Sequence, residues 1–341
     1  MSKLPIMGKN VKLKDIAREL NLSKTTVSFV LSGIGDEKGI SKATQAKILD
    51  YSQAINYRPN QLAQSLTSGI TNTIGLIVPS IGDAFYAKLV KEIEKEAEKR
   101  GYVILISSSE RDSRREMNLI YTMRAKQVDG LVIAPTDNCK KEVEKLLEDN
   151  FPFVLVDRIC LELDTNYVII DDEESSYKLV RNLIDKGRRK IAFLTTDTKG
   201  SAILNRAKGY HRALEDAGTK LDRSLVKEVP RENYSAYTGD ILRELFENHP
   251  DIDGFFFAAH YLASETMLYM YKNGMDISSF GLATIHDNPV VEALAPNMSV
   301  AKIPLDVMAG KAVNILWTNM KKKGVNEMSG TVIPAKIVIK D

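Results

Sequence analysis

The sequence of 341 residues lacks the features that mark membrane-spanning, secreted and metal-containing proteins. No uninterrupted apolar run approaches the roughly 18 residues that a membrane span needs, and residues 1–10 contain no apolar segment of the kind that directs secretion. Its two cysteines, Cys139 and Cys160, are too few for a disulfide framework, a zinc cage or an iron–sulfur site. We therefore expect a soluble, cytoplasmic protein whose thiols are reduced and either pack or lie at the surface.

Motifs for catalysis are missing as well. No Gly-x-Gly-x-x-Gly follows a predicted strand, and no phosphate-binding loop ends in Gly-Lys-Ser or Gly-Lys-Thr. Neither a Gly-x-Ser-x-Gly turn nor a Cys–His arrangement is evident. The histidines show no metal-ligand spacing; they are His211, His249, His260 and His286. The sequence therefore predicts no catalytic residue, no cofactor and no metal, and it disfavours an enzyme.

What the sequence does contain is an uneven distribution of charge. Of 47 bases and 45 acids in the chain, ten bases and five acids fall in residues 1–70, which leaves 37 bases and 40 acids for the remainder. A basic N-terminal segment on a nearly neutral body indicates a polyanion partner for that segment alone. Since 44% of the residues are hydrophobic, buried cores are expected, and the length predicts two or three domains.

Three short helices are predicted in the basic segment. The first spans about Leu13 to Leu20, and a turn at Asn21-Leu22 follows it. Ser23 caps the second, about Lys24 to Leu31, and Ser41 caps the third, which continues to Ala54. The first two share one apolar face and so must pack at an angle, which is the geometry of a helix-turn-helix. A generic helix pair would explain the periodicity too, but the basic excess and the capped second helix favour DNA binding.

From Thr71 onward, short β-rich runs alternate with amphipathic helical runs. Such alternation over about 270 residues predicts parallel sheets flanked by helices, with enough strands for two sheets. Each half is expected to be doubly wound, with a ligand crevice at the carboxyl ends of the strands. The predicted strands are 74–78, 103–107, 131–134, 153–156, 168–170, 191–194, 255–257, 299–303 and 331–339, and the helices are 85–100, 113–126, 140–149, 174–186, 206–217, 234–248, 262–273 and 308–320.

Several of these segments resemble the lactose-repressor (LacI/GalR) family of transcriptional regulators. In the basic segment they are residues 15–17, 23–28, 56–60 and 63–66; in the remainder they are 74–79, 128–131, 187–191, Arg206, Gly209-Tyr210 and Asp287-Asn288. The resemblance spans nearly the whole chain. It implies an α + α/β fold, in which a helix-turn-helix headpiece precedes a periplasmic-binding-protein-like core of two doubly wound α/β subdomains.

The resemblance also implies a domain organisation and a function. We expect a headpiece at 1–59, a hinge at 60–70 and an effector-binding and dimerisation core at 71–341. Subdomain 1 of the core is expected at about 71–170 and 304–330, and subdomain 2 at about 171–303 and 331–341. The implied function is a homodimeric repressor that binds double-stranded operator DNA and senses a small molecule, most simply a carbohydrate.

Residues that occupy the family's DNA-binding positions can be named in this sequence. Base reading is implied for Lys24, Thr25 and Phe29, and phosphate contacts for Ser23, Ser28, Ser32 and Ser41. In the hinge, Ala63 and Leu66 are implied, the leucine as a wedge in the minor groove that kinks the duplex. Phe29 departs from the family's usual small or polar residue: it could touch a thymine methyl or pack inward. The loop 33–39 is longer than the family's usual turn.

Candidate effector-binding residues follow predicted strands of the core. The resemblance implies Phe85, Tyr86, Asp171, Arg206, His260 and Asp287, with the aromatic ring stacking on a sugar or base and the planar guanidinium of Arg206 binding hydroxyls or a carboxylate. His260 stands where the family usually has Asp. The alternative effectors are a purine-like ligand, a phosphorylated sugar or a co-regulator protein. An exported-type solute-binding protein is the alternative function, although the basic headpiece disfavours it.

Overall fold

The computed structural model describes residues 11–57, 69–322 and 328–340. The chain divides into two compact units, Met1–Thr71 and Asn72–Asp341, each of which is described by itself below. Among the described residues, no helix combines the length and the apolar character needed to cross a membrane.

The N-terminal unit contains the three predicted helices, α1 (Leu13–Leu20), α2 (Lys24–Leu31) and α3 (Lys42–Ala54). Asn21 adopts a left-handed conformation (φ 54°), which ends α1 and turns the chain toward α2. The three helices enclose a small apolar core of Ile16, Ala17, Leu20, Val27, Val30 and Ile48. The sequence prediction of these three helices is confirmed, because their caps and their apolar spacing are local signals.

The second unit contains two six-stranded sheets. The first sheet comprises β1 (Thr73–Val78), β2 (Val103–Ser108), β3 (Gly130–Ile133), β4 (Phe153–Val156), β5 (Tyr167–Ile170) and β11 (Gly330–Ile333). The second comprises β6 (Ile191–Thr196), β7 (Val226–Val229), β8 (Gly254–Phe257), β9 (Gly281–Ile285), β10 (Ser299–Lys302) and β12 (Lys336–Val338). Their strand orders are β11-β5-β4-β3-β1-β2 and β12-β10-β9-β8-β6-β7. All of these neighbours are parallel except β10 and β12.

Helices flank both sheets. They are α4 (Ala84–Glu98), α5 (Ser113–Ala125), α6 (Lys140–Glu148), α7 (Asp172–Asp185), α8 (Ser201–Asp216), α9 (Tyr234–Asn248), α10 (His260–Lys272), α11 (Pro289–Leu294) and α12 (Leu305–Lys321), with 3₁₀ turns at Arg223–Leu225 and Ile277–Ser279. Helix α12 packs on β3, β4 and β5, and α7 packs on β9 and β10. The predicted class, a helix-turn-helix unit and two α/β subdomains, is confirmed.

Helices α7 and α8 approach each other closely, and Gly209 makes this possible. A Cβ at this position would lie 2.7 Å from the Cβ of Ser176 and 2.8 Å from the backbone nitrogen of Tyr177. Since such contacts are not tolerated, any larger residue would push the helices apart. This close approach sets the position of Arg206, which lies one turn earlier on α8.

The C-terminal run 331–339 was predicted as one strand, and this prediction is wrong. It forms two strands: β11 pairs with β5 in the first sheet and β12 with β10 in the second. Pro334 lies between them, and proline lacks the N–H that a continuing ladder requires. Residues 331–333 therefore belong to the first sheet rather than to subdomain 2.

Three elements were not predicted. Strand β7, at the edge of its sheet, has the adjacent charged residues Lys227 and Glu228 at its centre, β9 begins with the weakly apolar Gly281-Leu282-Ala283, and α11 has only six residues. The two thiols are free and buried in the first subdomain, and burial raises the pKa of both Cys139 and Cys160.

Candidate functional site

Helix α2 presents a polar surface at its N-terminus. Lys24 and Thr25 are exposed, whereas Ser28 and Phe29 are half-buried. The hydroxyl of Ser23 accepts a hydrogen bond from the Thr26 backbone N–H at 2.9 Å and so caps the helix. Lys24 and Thr25, two of the three predicted base-reading residues, are therefore accessible to a DNA groove.

The remaining serines have different surroundings. Ser41 caps α3, because its hydroxyl accepts from the Thr44 N–H at 3.2 Å, and Ser32 is exposed at the C-terminal end of α2. Capping orients a hydroxyl toward the helix backbone, so Ser23 and Ser41 act first on helix ends. Predicted contacts at Ala63 and Leu66 lie outside the described residues.

Phe29 is neither fully packed nor free. It is half-buried and is absent from the apolar residues that pack against the described headpiece core. The Lys38 ammonium lies 5.5 Å from the centroid of its ring, a cation–π distance. Lys38 belongs to the long loop 33–39, which Gln45 ties to α3 by donating to the Asp36 carboxylate at 2.8 Å and to the Ile40 carbonyl at 2.7 Å.

A cleft lies between the two sheets of the second unit. Its cavity measures about 470 Å³, including the space open to solvent. The lining residues are Asp83, Phe85, Tyr86, Arg111, Asp157, Arg158, Thr198, Ala202, Ile203, Arg206, Arg231, Ala259, His260, Tyr261 and His286. They come from both sheets, mostly from segments that follow the carboxyl ends of parallel strands, which is where open α/β sheets bind ligands.

The structure brings four of the six predicted effector residues into this cleft: Phe85, Tyr86, Arg206 and His260. Asp171 lies instead in one of the chain segments that pass from the first sheet to the second. Its carboxylate accepts from the Ser175 hydroxyl at 2.7 Å and from the Ala335 N–H at 2.8 Å. These hydrogen bonds join the segment after β5 to the segment after β11. Asp171 therefore connects two of the segments that link the sheets, and it does not line the cleft.

Asp287, also predicted to bind the effector, does not line the cleft either. Its carboxylate is more than a third exposed and lies 3.9 Å from the Lys88 ammonium and 3.6 Å from the Lys302 ammonium. The preceding residue, His286, lines the cleft in its place. The backbone at His286 is left-handed (φ 72°) at this turn.

Arg206 is buried and forms an ion pair with a buried carboxylate. Only 3% of it is exposed; its Nε donates to the Asp172 carboxylate at 2.7 Å and its Nη1 to the Ala258 carbonyl at 2.7 Å. Asp172 is 2% exposed and begins α7. The guanidinium therefore fastens α8 to α7 and to the end of β8, and it presents only its remaining edge to a ligand.

Asp83 bridges the cleft. It caps α4, since its Oδ1 accepts from the Phe85 N–H at 3.0 Å. Its Oδ2 lies 3.4 Å from Arg231 Nη2 and 3.8 Å from Arg111 Nη2, and its Oδ1 lies 4.0 Å from His260 Nε2. Arg231 and His260 belong to the opposite subdomain, so one carboxylate draws the two sides together.

A second group of contacts in the cleft centres on the carboxylates of Asp157 and Asp137. The Tyr86 hydroxyl donates to Asp157 at 2.6 Å, and Arg158 lies 3.6 Å from both Asp157 and Asp137. Asp137 also accepts from the Lys199 N–H at 3.1 Å, across the cleft. Burial raises the pKa of Tyr86 well above its ordinary value, so this hydroxyl stays protonated and donates.

Two histidines face each other inside the cleft, with ring centroids 5.7 Å apart. The Phe85 ring stacks on His286 at 4.3 Å and 11°. Both nitrogens of His286 and Nδ1 of His260 are buried without a hydrogen-bond partner among the described residues. Burial lowers the pKa of His260, and burial followed by the charge of Arg206 lowers that of His286 well below 6.5. Neutral imidazoles therefore offer unused donors and acceptors.

Protonation of the two buried histidines should consequently oppose folding in mild acid, whereas burial raises the pKa of Glu116 to about 7 and that of Asp172 to about 6 and gives these two carboxyls the opposite pH dependence. Because the unfolded chain binds protons with a histidine pKa near 6.5 and folded His286 does so only at much lower pH, protonation favours unfolding. Each such histidine should contribute a fall in the free energy of unfolding of up to about 1.4 kcal/mol per pH unit below pH 6.5, and the difference between the wild type and a variant without the histidine isolates this contribution. Urea denaturation between pH 7.5 and 5 checks this. His286→Asn tolerates the left-handed backbone and should flatten the slope; an unchanged slope would contradict the assignment.

Left-handed backbone recurs among the cleft residues. Arg111 (φ 62°), Asp157 (φ 66°) and His286 (φ 72°) all adopt it, although it is uncommon for residues other than glycine and asparagine. Strained residues of this kind concentrate at ligand sites, where the surrounding structure holds side chains in position. All three residues line the cavity.

Sequence reasoning missed Arg111, Asp157, Arg158, Arg231, Tyr261 and His286. Arg111 and the Asp157-Arg158 pair follow predicted strands closely, so the rule that ligands bind at strand carboxyl ends could have found them. Arg231 follows β7, which was not predicted, and no motif marks it.

These features together define a class of protein: a helix-turn-helix unit joined to a two-subdomain core with a polar ligand cleft. Family comparison agrees. Residues 12–60 match the family model "Bacterial regulatory proteins, lacI family", and residues 71–313 match "Periplasmic binding proteins and sugar binding domain of LacI family". The chain belongs to the LacI family, and it is a DNA-binding transcriptional regulator.

Individual relatives support this assignment. Catabolite control protein A of Priestia megaterium is 29% identical over 93% of this chain and 95% of its own length. The ribose operon repressor of Haemophilus influenzae is 31% identical over 63% and 64% of the two chains. The lac repressor dimer bound to operator and the anti-inducer ONPF shares the fold, with a TM-score of 0.83 at 20% identity over 97% of this chain and 98% of its own. These relatives are regulators of transcription rather than enzymes.

Proposed function

We propose that the protein is a homodimeric repressor whose affinity for operator DNA is controlled by a small molecule, most simply a sugar, in the cleft. The observation that carries this proposal is the cleft itself: both subdomains line it, and charged contacts cross it. A ligand that displaces or completes those contacts changes how the subdomains sit. With operator DNA as its partner, we infer a location in the bacterial cytoplasm.

Printed descriptions of similar proteins support a carbohydrate. One solved structure is a complex of the regulator CelR with cellobiose (TM-score 0.71, 22% identity, 97% of this chain and 99% of that chain). The described residues agree with such a ligand, because neutral His286, His260 and the Tyr86 hydroxyl are uncharged groups that bind hydroxyls. The alternative ligands are a purine-like molecule, on which the Phe85 ring would stack, and a phosphorylated sugar, since the Cra regulator from Pseudomonas putida was solved in complex with fructose 1-phosphate (TM-score 0.69, 21% identity, 79% of this chain and 97% of that chain).

For the headpiece we propose that Lys24, Thr25 and Phe29 read bases in the major groove. The exposed N-terminus of α2 gives two of them access, and Lys38 adds positive charge over the ring of the third. Phosphate contacts are assigned to the serines at 23, 28, 32 and 41. At Ser23 and Ser41 the capped helix N-terminus is itself an anion-binding group, so each serine supports the backbone N–H groups that meet a phosphate.

The hinge proposal rests on sequence alone. We assign residues 60–70 to a segment that connects the headpiece to the core, with Ala63 and Leu66 in contact with the minor groove. An apolar side chain inserted between base steps kinks the duplex. Two copies of Leu66 in a dimer would then make the kink depend on the spacing of the two cores.

Removal of residues 1–71 tests the division of labour. The remaining chain contains both sheets and their cores, so it should fold, and it should raise its melting temperature with the same sugars as the full chain. Its DNA binding should be lost. Thermal melting and fluorescence anisotropy with labelled duplex measure the two properties. DNA binding retained by the shortened chain would contradict the headpiece assignment.

A further inference from the structure

One carboxylate in the cleft faces two guanidinium groups. Asp83 Oδ2 lies 3.4 Å from Arg231 Nη2 and 3.8 Å from Arg111 Nη2, so both arginines share a single oxygen. The other cleft arginines have their own partners: Arg158 lies between two carboxylates, and Arg206 is paired with a buried one. Positive charge is therefore in excess at the Asp83 end of the cleft.

The two arginines are held in place rather than spread into solvent. The guanidinium of Arg231 lies 3.9 Å from the ring centroid of Tyr261 and 5.2 Å from that of Tyr234, and only 12% of its side chain is exposed. Arg111 sits on left-handed backbone, and its buried Nε has no hydrogen-bond partner among the described residues. A planar acceptor entering here would find at least one unused donor and an uncompensated charge.

Groups that bind hydroxyls lie beside this charge. His286 is 8% exposed with both ring nitrogens unpartnered, and His260 Nδ1 is unpartnered too, among the described residues. His260 Nε2 is 4.0 Å from the Asp83 carboxylate, so the hydroxyl-binding imidazoles and the guanidinium pair meet at one residue. The cleft thus joins an anion-binding end to a neutral polar wall.

We propose that Arg111 and Arg231 form an anion subsite and that the effector is an acidic sugar, a hexuronate or hexonate, whose carboxylate binds there. This rests on the proposed sugar-controlled function and narrows its ligand class. At Asp83 two guanidinium groups face one carboxylate, and this local excess of one positive charge matches a ligand carboxylate of charge −1. A guanidinium fork also matches the planar shape of a carboxylate. Asp83 competes for the same two groups, and the ligand carboxylate takes over part of its role.

Titration calorimetry of the full chain tests this with galacturonate and gluconate against their neutral parents, galactose and glucose, and with glucose 6-phosphate as the phosphate counterpart. At least one acid should bind at least 10-fold more tightly than its parent. Arg111→Gln should weaken acid binding about 10-fold or more, since it removes a charged hydrogen bond. The control Arg181→Gln, at a residue that pairs with Asp185 on α7 and does not line the cleft, should change the affinity for the acid by less than about 3-fold.

A second variant keeps the test independent of folding defects. Asp83→Asn retains a helix cap, because asparagine caps as well as aspartate, and it removes the competing charge. It should bind the acid more tightly than the wild type; weaker binding would overturn the subsite. Tighter binding of glucose 6-phosphate than of either acid would overturn the carboxylate assignment.

The two proposals can fail separately. Binding of neutral sugars with altered operator affinity, but no binding of the acids, would overturn the anion subsite and leave sugar control intact. If the acids and the neutral sugars all fail to bind the full chain or to change its operator affinity, both the subsite and sugar control are contradicted.

Discussion

The affinity of the full chain for duplex DNA should fall about 10³- to 10⁵-fold between 50 and 200 mM salt, as expected for a protein that contacts 6–10 phosphates. Residues 1–70 contain ten bases and five acids, and a dimer doubles that excess. Each phosphate contact releases condensed cations from the DNA, so the logarithm of the affinity should fall linearly with the logarithm of the salt concentration. Fluorescence anisotropy over a salt series measures the slope.

Two lysines provide a matched comparison for this experiment. Lys24 is exposed at the N-terminus of α2, and Lys91 is exposed on α4 of the core. Lys24→Gln should weaken binding to the preferred sequence by about 1–3 kcal/mol and lower the discrimination against other sequences, because it removes the proposed base contact. Lys91→Gln should leave both unchanged. A nearly flat slope for the wild type, or equal effects of the two variants, would contradict the headpiece as the DNA-binding unit.

Arg206→Ala should lower the free energy of unfolding by about 3–5 kcal/mol, because it leaves the carboxylate of Asp172 buried without its cation. The alanine also removes the donor to the Ala258 carbonyl, which Arg206 Nη1 meets at 2.7 Å. Urea denaturation of the full chain measures the loss.

Arg181→Ala is the matched control. Arg181 lies on α7 and pairs with Asp185 at 3.0 Å, with both side chains substantially exposed, so its loss should cost about 0.5 kcal/mol or less. The double variant Arg206→Met with Asp172→Leu should recover most of the stability, since an apolar pair of similar volume removes the stranded charge. If Arg206→Ala is as stable as Arg181→Ala, Arg206 is not a structural ion pair and its whole guanidinium is available to a ligand.

The headpiece could be predicted almost to the residue because its signals are local. Ser23 and Ser41 cap helices that begin at the next residue, and Asn21 ends the first helix. The alternation of strands and helices likewise predicted two parallel sheets, since the runs 153–156 and 234–248 coincide with β4 and α9. Where edge strands are charged, as in β7, periodicity carries no signal.

The cleft was predictable only in outline. The sequence predicted Asp171 and Asp287 as effector-binding residues. In the structure the residue next to Asp171, Asp172, pairs with Arg206, and the residue next to Asp287, His286, lines the cavity. Such one-residue differences depend on where a strand ends and on left-handed backbone at the turn, which no local pattern in these segments reveals. Arg111 and Arg231 lie 120 residues apart in the chain and meet only because both sheets place their loops around Asp83.

The measurement that tests the account most directly is the affinity of the full chain for its operator with and without a sugar in the cleft. The operator is first selected from a random duplex library, and the sugar is the one of galacturonate, gluconate, galactose and glucose that most raises the melting temperature. Coupling between two sites is commonly about 1–3 kcal/mol, so operator affinity should change about 5- to 150-fold at saturating sugar, and the operator should change sugar affinity by the same factor. Operator affinity that is identical with and without the saturating sugar would contradict the account.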